Sequence, residues 1–191
     1  MGSVVLSLSI SIDGFYEGPD REIDWHLVDD ELHQHLNDRL TTAAAFLEGR
    51  LTYELMEAYW PTADADPSNP APMREFAGIW RKVPKVVYSR TLQQVGPNAT
   101  LAREVDPDAV RRLAARSDGD LVVGGPQLAA AFRRHDLIDE YRLYVHPVVL
   151  GRGHPLFQPS DSPTSLRLLD THTFGNGVVL LHYGRTGEPS A

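Results

Sequence analysis

The stretch Asp120-Leu-Val-Val-Gly124-Gly125-Pro126-Gln127-Leu128-Ala-Ala-Ala-Phe132 constrains this chain more than any other. Three consecutive apolar residues read as a short buried strand. A helix follows with Pro126 in its first turn, where a missing N–H costs nothing. The two glycines between them let a ligand come close to the backbone, and the free N–H groups of a helix start attract an anion. Gly-Gly also suits a plain strand-to-helix corner, so these residues point to a βα unit more firmly than to a ligand.

The same logic recurs along the chain. Val4, Leu6, Leu8, Ile10 and Ile12 alternate with Ser7, Ser9 and Ser11, the period of a strand with one apolar face, and Asp13-Gly14-Phe15 ends it. The small serines leave room for something flat on the other face. Ala43 to Leu47 reads as a buried strand, and Gly49-Arg50-Leu51-Thr52 then opens a helix reaching Trp60. A glycine turn, a cation and a hydroxyl at a helix start suit a phosphate, although Arg50 also suits a surface ion pair. A strand from Pro84 exits through Ser89-Arg90, and Asp106-Pro107 caps a helix running through Ser117. Tyr141 to Leu150 reads as a strand. Ser165 to Phe174 and Val178 to Arg185 form a hairpin through Gly175-Asn176-Gly177. Strands alternating with helices, and then strands alone, predict an α/β fold over residues 1–191 as a single domain. Its sheet is mainly parallel with an antiparallel hairpin at one edge, and residues 186–191 are expected to fray. Pro61 to Met73 is the one linker-like stretch, suited to a lid, a dimer contact or a disordered excursion.

Charge and composition narrow the partners. A formal net charge of −8 argues against nucleic acid or an anionic membrane surface as the main partner. An anionic ligand then needs local arginines. The chain has no cysteine, which removes disulfides, thiolate metal sites and thiol nucleophiles. No apolar run approaches the roughly 18 residues of a membrane span, and a cytoplasmic location is expected.

Gly124-Gly125-Pro126, Leu137-Ile-Asp-Glu-Tyr141 and Leu150-Gly-Arg-Gly153 with Pro155-Leu-Phe157 together resemble a known family. It is the dihydrofolate-reductase-like family, specifically the reductase domain of the bifunctional riboflavin-biosynthesis deaminase-reductases and its stand-alone relatives. The resemblance runs from about Val4 to Tyr183. It implies the same mostly parallel sheet, flanked by helices, and NADPH as cofactor. It places Ser9, Gly14 and Phe15 around the nicotinamide, and Gly49, Arg50 and Thr52 on the phosphates. It also places Ser89 and Arg90 on the adenosine 2′-phosphate, and Gly124, Gly125, Pro126, Gln127 and Leu128 along the pyrophosphate. The zinc deaminase half of the bifunctional members needs H-x-E and P-C-x-x-C, so a cysteine-free chain cannot supply deamination.

Leu32, Leu36 and Leu40 give a helix one apolar stripe, with Asp29, Asp30 and Glu31 at its start. Simple capping explains Asp29. Dihydrofolate reductases carry a tryptophan and, five residues later, an acid at a helix start. Trp25 and Asp30 have that spacing, so the resemblance implies a substrate-binding Trp25 and a proton-supplying Asp30, with Asp29 as the other candidate. His26, His33 and His35 lack the spacing of a metal site, and no metal is expected. They read as solvated, with one of them a candidate for the pocket mouth. The resulting expectation is an NADPH-dependent reductase of a pterin- or pyrimidine-like heterocycle, and the resemblance implies a homodimer meeting near Tyr141 to Val149. The alternative is a nucleotide-binding sensor or scaffold that keeps the pocket without turnover.

Overall fold

The computed structural model describes residues 1–158 and 163–187. Its strands are β1 (Val4–Ser11), β2 (Phe15–Glu17), β3 (Ala45–Gly49), β4 (Lys85–Tyr88), β5 (Ala99–Ala102), β6 (Leu121–Gly124), β7 (Glu140–His146), β8 (His154–Pro155), β9 (Leu166–Thr173) and β10 (Val179–Arg185). Its helices are α1 (Asp30–Leu40), α2 (Arg50–Tyr59), α3 (Ala71–Lys82), α4 (Pro107–Arg116) and α5 (Pro126–Arg134). Eight strands form one sheet in the order β5-β4-β3-β6-β1-β7-β10-β9. The first six run parallel, and β10 runs antiparallel to both of its neighbours, β7 and β9. The expected α/β architecture is what the chain adopts.

Helices cover both faces of the sheet because its central strands are apolar on both. On one face Leu6, Leu47 and Val123 pack with Val110 of α4 and Phe132 of α5. On the other, Phe46, Val87 and Val122 meet Tyr53 of α2 and Phe76 and Trp80 of α3. Next to these, Leu32 of α1 packs on Tyr144, Phe174, Val178 and Leu180. Phe132 and Leu47 expose no surface at all. Truncating such an aromatic residue to alanine costs about 3–5 kcal/mol. No helix among the described residues is long and apolar enough to cross a membrane.

Two sequence expectations need correction, and one strand has no forerunner among them. The edge strand β5 has no counterpart in the sequence reading, since Ala-Thr-Leu-Ala is too short to show a period. The stretch 61–73 is tied to the fold, through a 3-10 helix (Trp60–Ala65) and the first turn of α3. Arg81 pairs with Asp64 at 2.6 Å and donates to the Pro61 carbonyl at 2.8 Å, while Asn69 donates to Ala63 at 2.7 Å. The strand beginning near Tyr141 ends at His146. It lies between β1 and β10 with Tyr141 and Tyr144 buried, so it offers no edge to a second subunit. Of the tail, Thr186 is still bonded to the Ser165 carbonyl at 3.0 Å, and residues 188–191 lie outside the described residues.

Candidate functional site

Sheet order sets four of the turns singled out in the sequence side by side. β4, β3, β6 and β1 are consecutive neighbours, all parallel, so their carboxyl ends form one edge. Along it run Ser89-Arg90, Gly49-Arg50, Gly124-Gly125 and Asp13-Gly14. With about 4.8 Å between strands, the row spans about 14 Å. Ligands of open α/β sheets bind beyond this end of the strands. A cavity of about 430 Å³ lined by Ser3, Val4, Arg111, Asp139 and Arg185 lies elsewhere, at the amino-terminal ends of β1 and β7.

In the middle of the row two turns meet. Glu48 of β3 is the register partner of Gly124 in β6. Gly125 has φ +96, and a Cβ built on it would lie 2.5 Å from Thr52 Oγ1. Both glycines therefore have a structural reason, since Gly124 makes room for Glu48 and Gly125 for Thr52. The helices that start here are not capped by side chains. Gly49 precedes α2 and Gly125 precedes α5. By contrast, Asp29 caps α1 at 2.9 Å and Asp106 caps α4 at 2.9 and 3.2 Å. Proline 70 leaves α3 uncapped as well. The first-turn N–H groups of α2 and α5 are thus available to an acceptor from outside. Pro126 occupies the first position of α5, Gln127 is exposed, and Leu128 is buried and offers only its backbone N–H.

At one end of the row the two arginines differ. Arg50 is spent on Glu54 at 2.9 Å, an exposed i,i+4 pair. Arg90 is exposed and forms no ion pair among the described residues. Ser89, expected to meet a phosphate, is buried, and its Oγ accepts the N–H groups of Thr91 and Leu92 at 3.2 and 3.0 Å. That hydroxyl shapes its own turn. Arg103, which the sequence reading passed over, donates to the carbonyls of Ser89 and Leu92 at 3.1 and 2.6 Å. It follows β5, so its neighbourhood was invisible without that strand.

At the other end, Asp13 joins two loops far apart in sequence. Its carboxylate accepts Ser11 Oγ at 2.7 Å and the N–H groups of Leu150 and Gly151 at 3.1 and 2.7 Å. The Ser11 hydroxyl is the leading cause holding the Asp13 carboxyl below the usual range. Gly14 has φ +86 with open space where a Cβ would sit. Phe15 begins β2, which pairs with β8, and Ser9 is half-buried on β1.

Beside them lies an aromatic cluster. His26 stacks on His146 at 5.0 Å and 19°, and Trp25 stands edge-on to both, at 4.2 and 5.6 Å. His146 is fully buried and accepts the Leu27 N–H through Nδ1 at 3.0 Å. Burial first, then the neighbouring His26, takes its pKa down to about 4. The hairpin turn fixes the same segment. Asn176 donates to the Leu27 carbonyl and Gly175 to the Glu31 carboxylate, each at 2.9 Å. Both Asp29 and Asp30 are exposed, with one Asp29 oxygen engaged in capping.

His33 and His35 are half-buried instead of solvated. His33 packs against Trp60 and Phe76, and His35 against Tyr144, Phe174 and His172. Both sides of α1 are covered, and burial lowers the pKa of each ring. No group of three or more His, Cys, Asp or Glu side chains suited to a metal ion occurs among the described residues.

Residues 3–180 match the family model of the RibD C-terminal domain. The chain belongs to the RibD C-terminal domain family. Among curated proteins it is 31% identical over 185 residues to the uncharacterised protein YyaP of Bacillus subtilis (strain 168), covering 96% of this chain and 95% of that one. The RibD fold is shared with a putative riboflavin biosynthesis protein from Shewanella sp. PV-4. That match has a TM-score of 0.71 at 22% identity and covers 98% of this chain and all of the other. It is shared too with a diaminohydroxyphosphoribosylaminopyrimidine deaminase/5-amino-6-(5-phosphoribosylamino)uracil reductase from Thermotoga maritima. Here the TM-score is 0.65 at 17% identity, over 96% of this chain but only 56% of the Thermotoga protein. This RibD relative therefore spans about half the length of that two-activity enzyme and has the dihydrofolate-reductase-like fold of such domains.

Proposed function

We propose that this chain is an NADPH-dependent reductase of a small, flat, pterin- or pyrimidine-like heterocycle. The observation that carries the reading is the order of the turns along one sheet edge. An arginine with no ion pair among the described residues comes first, then two uncapped helix starts, then an open glycine turn beside a serine-faced strand. That is the order of the parts of NADPH: adenosine 2′-phosphate, pyrophosphate, nicotinamide. The middle fits a pyrophosphate because the first-turn N–H donors of both helices lack side-chain caps. The membership of the RibD family supports a reductase.

In this reading Arg90, with the backbone of the loop that Arg103 braces, holds the 2′-phosphate. Gly49, Arg50, Thr52 and the α5 start from Gly124 to Leu128 seat the pyrophosphate. Ser9 and Gly14 leave space for a planar ring, and Phe15 helps to exclude water. Bound NADPH supplies the hydride. Asp30, at the start of α1, holds a proton for the substrate, and Trp25 lies against its ring. A homodimer belongs to the same reading. Its surface would be the free edge at β9, where Leu166, Leu168 and Leu169 are exposed. Titrating NADPH and NADH while following nicotinamide fluorescence tests the reading: tighter NADPH binding is expected, and equal affinities or none would count against it.

A second reading, nucleotide binding without turnover, is favoured by one observation. Of the two carboxylates proposed for proton transfer, Asp29 caps α1 and Asp30 is exposed. NADPH binding without oxidation by any pterin or pyrimidine substrate would support it.

A further inference from the structure

Glu48 ends in an unusual place for an acid. It sits one residue before the Gly49 turn, and its carboxyl lies over the Cα of Gly124, where any Cβ would overlap it. It is 5% exposed, and Oε2 has no hydrogen-bond partner among the described residues. The charged and titratable groups packed on this face are engaged elsewhere. Lys85 Nζ donates to the carbonyls of Trp80 and Val83 and lies 4.5 Å over the Trp80 ring. Glu57 accepts Trp80 Nε1 at 2.9 Å, and the Tyr53 hydroxyl accepts the Gly96 N–H at 2.8 Å. An ionised Glu48 would therefore be a buried charge without a partner, which proteins avoid by keeping such a group neutral. Burial takes its pKa up to about 8, against a smaller pull downward from Lys85.

A neutral carboxyl carries an O–H donor, and here that donor has no acceptor among the described residues. Two uncapped helix starts adjoin it, since Gly49 follows Glu48 and Gly125 follows the Gly124 that its carboxyl covers. An unsatisfied donor between two sets of free N–H groups calls for an acceptor rich in oxygen and negative charge. We propose that Glu48 is a further ligand-binding residue of this site, donating a hydrogen bond as the neutral acid to a phosphate group seated between the Gly49 and Gly125 turns. Ionised, the same side chain repels that phosphate, so ligand binding and proton uptake are linked. The identity of the phosphate as the NADPH pyrophosphate rests on the reading in the preceding subsection.

The test is the NADPH dissociation constant from pH 7.5 to 9.5, for the native protein, Glu48→Gln and Glu48→Leu, with circular dichroism as the control for folding. Above pH 7.5 the 2′-phosphate, which titrates near about 6, is fully ionised and adds no slope. The native protein should weaken by about tenfold per pH unit once Glu48 ionises. Calorimetry at pH 8.5 in two buffers of different ionisation enthalpy should show proton uptake on binding. Glu48→Gln keeps a donor and should bind with a flat pH profile; Glu48→Leu should be flat and about tenfold weaker at pH 7.5. A native protein without pH slope or proton uptake overturns the proposal, and so does a Glu48→Gln variant that keeps the native slope. The native calorimetry decides the matter if neither variant folds. If NADPH does not bind, the cofactor reading fails, and inorganic pyrophosphate is titrated in its place. Pyrophosphate binding whose pH slope falls in Glu48→Gln upholds Glu48 as a phosphate ligand, and no binding of either overturns both.

Discussion

His146 holds Leu27 from beneath: its fully buried imidazole accepts the Leu27 backbone N–H through Nδ1 at 3.0 Å. That bond needs a neutral ring with its proton on Nε2. Burial and the stacked His26 keep the ring neutral down to about pH 4, whereas an unfolded histidine titrates near about 6.5. The folded value is the depressed one, so the contribution to stability is complete above the unfolded value and is lost as pH falls towards 4. Urea unfolding at pH 7.5 and 4.5 should show a loss on the order of 3 kcal/mol from this residue. In His146→Asn the side-chain oxygen still accepts from Leu27 but does not titrate, and the fall should be shallower. The same profile in both proteins would remove His146 from the acid response.

Arg90 is exposed at the exit of β4 with no ion pair among the described residues. Arg90→Ala should weaken NADPH binding by roughly 1.5 kcal/mol, about tenfold, the low end for a charge-assisted contact at an open site. NADH affinity should stay as it was. Loss of affinity for both nucleotides would mean that the residue shapes the loop instead of reading the 2′-phosphate.

Gly125 combines φ +96 with a Thr52 hydroxyl where a side chain would start. Gly125→Ala should therefore cost roughly 1–3 kcal/mol of stability before any ligand is considered. Thr52→Ser cannot help, because the oxygen remains. Thr52→Ala should recover part of the loss, an interaction that a double-mutant cycle by chemical denaturation would measure. Additive effects would show that backbone strain alone sets the cost.

Asp29 and Asp30 are adjacent, and the fold gives them different surroundings. Asp29 accepts the Leu32 N–H at 2.9 Å. Asp29→Ala should cost about 1 kcal/mol of stability, while Asp29→Asn, an equally good cap, should be close to neutral. Asp30→Asn should cost only about 0.3–1 kcal/mol of stability through the lost charge at the helix start, leave NADPH affinity unchanged and slow turnover by roughly 10²–10⁴-fold. Single-turnover oxidation of bound NADPH gives the reading. Full rate in Asp30→Asn with loss in Asp29→Asn would move the role to the cap residue.

The strand-to-helix exits were legible because glycine, proline and a following cation or hydroxyl mark such exits locally. Asp13-Gly14, Gly49-Arg50 and Gly124-Gly125-Pro126 all stand at strand ends. What a linear reading lacks is the order of strands. That Gly124 lies beside Glu48, so that one glycine exists to admit one carboxyl, follows from β3 pairing with β6. Ser89 looks the same on paper whether its hydroxyl meets a phosphate or its own turn. His26 and His146 are far apart in sequence, and only the packing of the segment before α1 on the end of β7 brings their rings together.

The place of β1 bears on how the chain reaches this fold during synthesis. Val4 pairs with Leu121, and Val5 pairs with Glu140. The strand at the heart of the sheet is made before either of its hydrogen-bonding partners. Val4, Val5 and Leu6, buried in the finished molecule, stay in water until β6 emerges. Such distant pairing slows folding, and an unpaired apolar strand is a point of aggregation meanwhile. The yield of folded protein depends on how quickly β6 and β7 follow, so slower translation between α1 and β6 should send more of the chain into inclusion bodies.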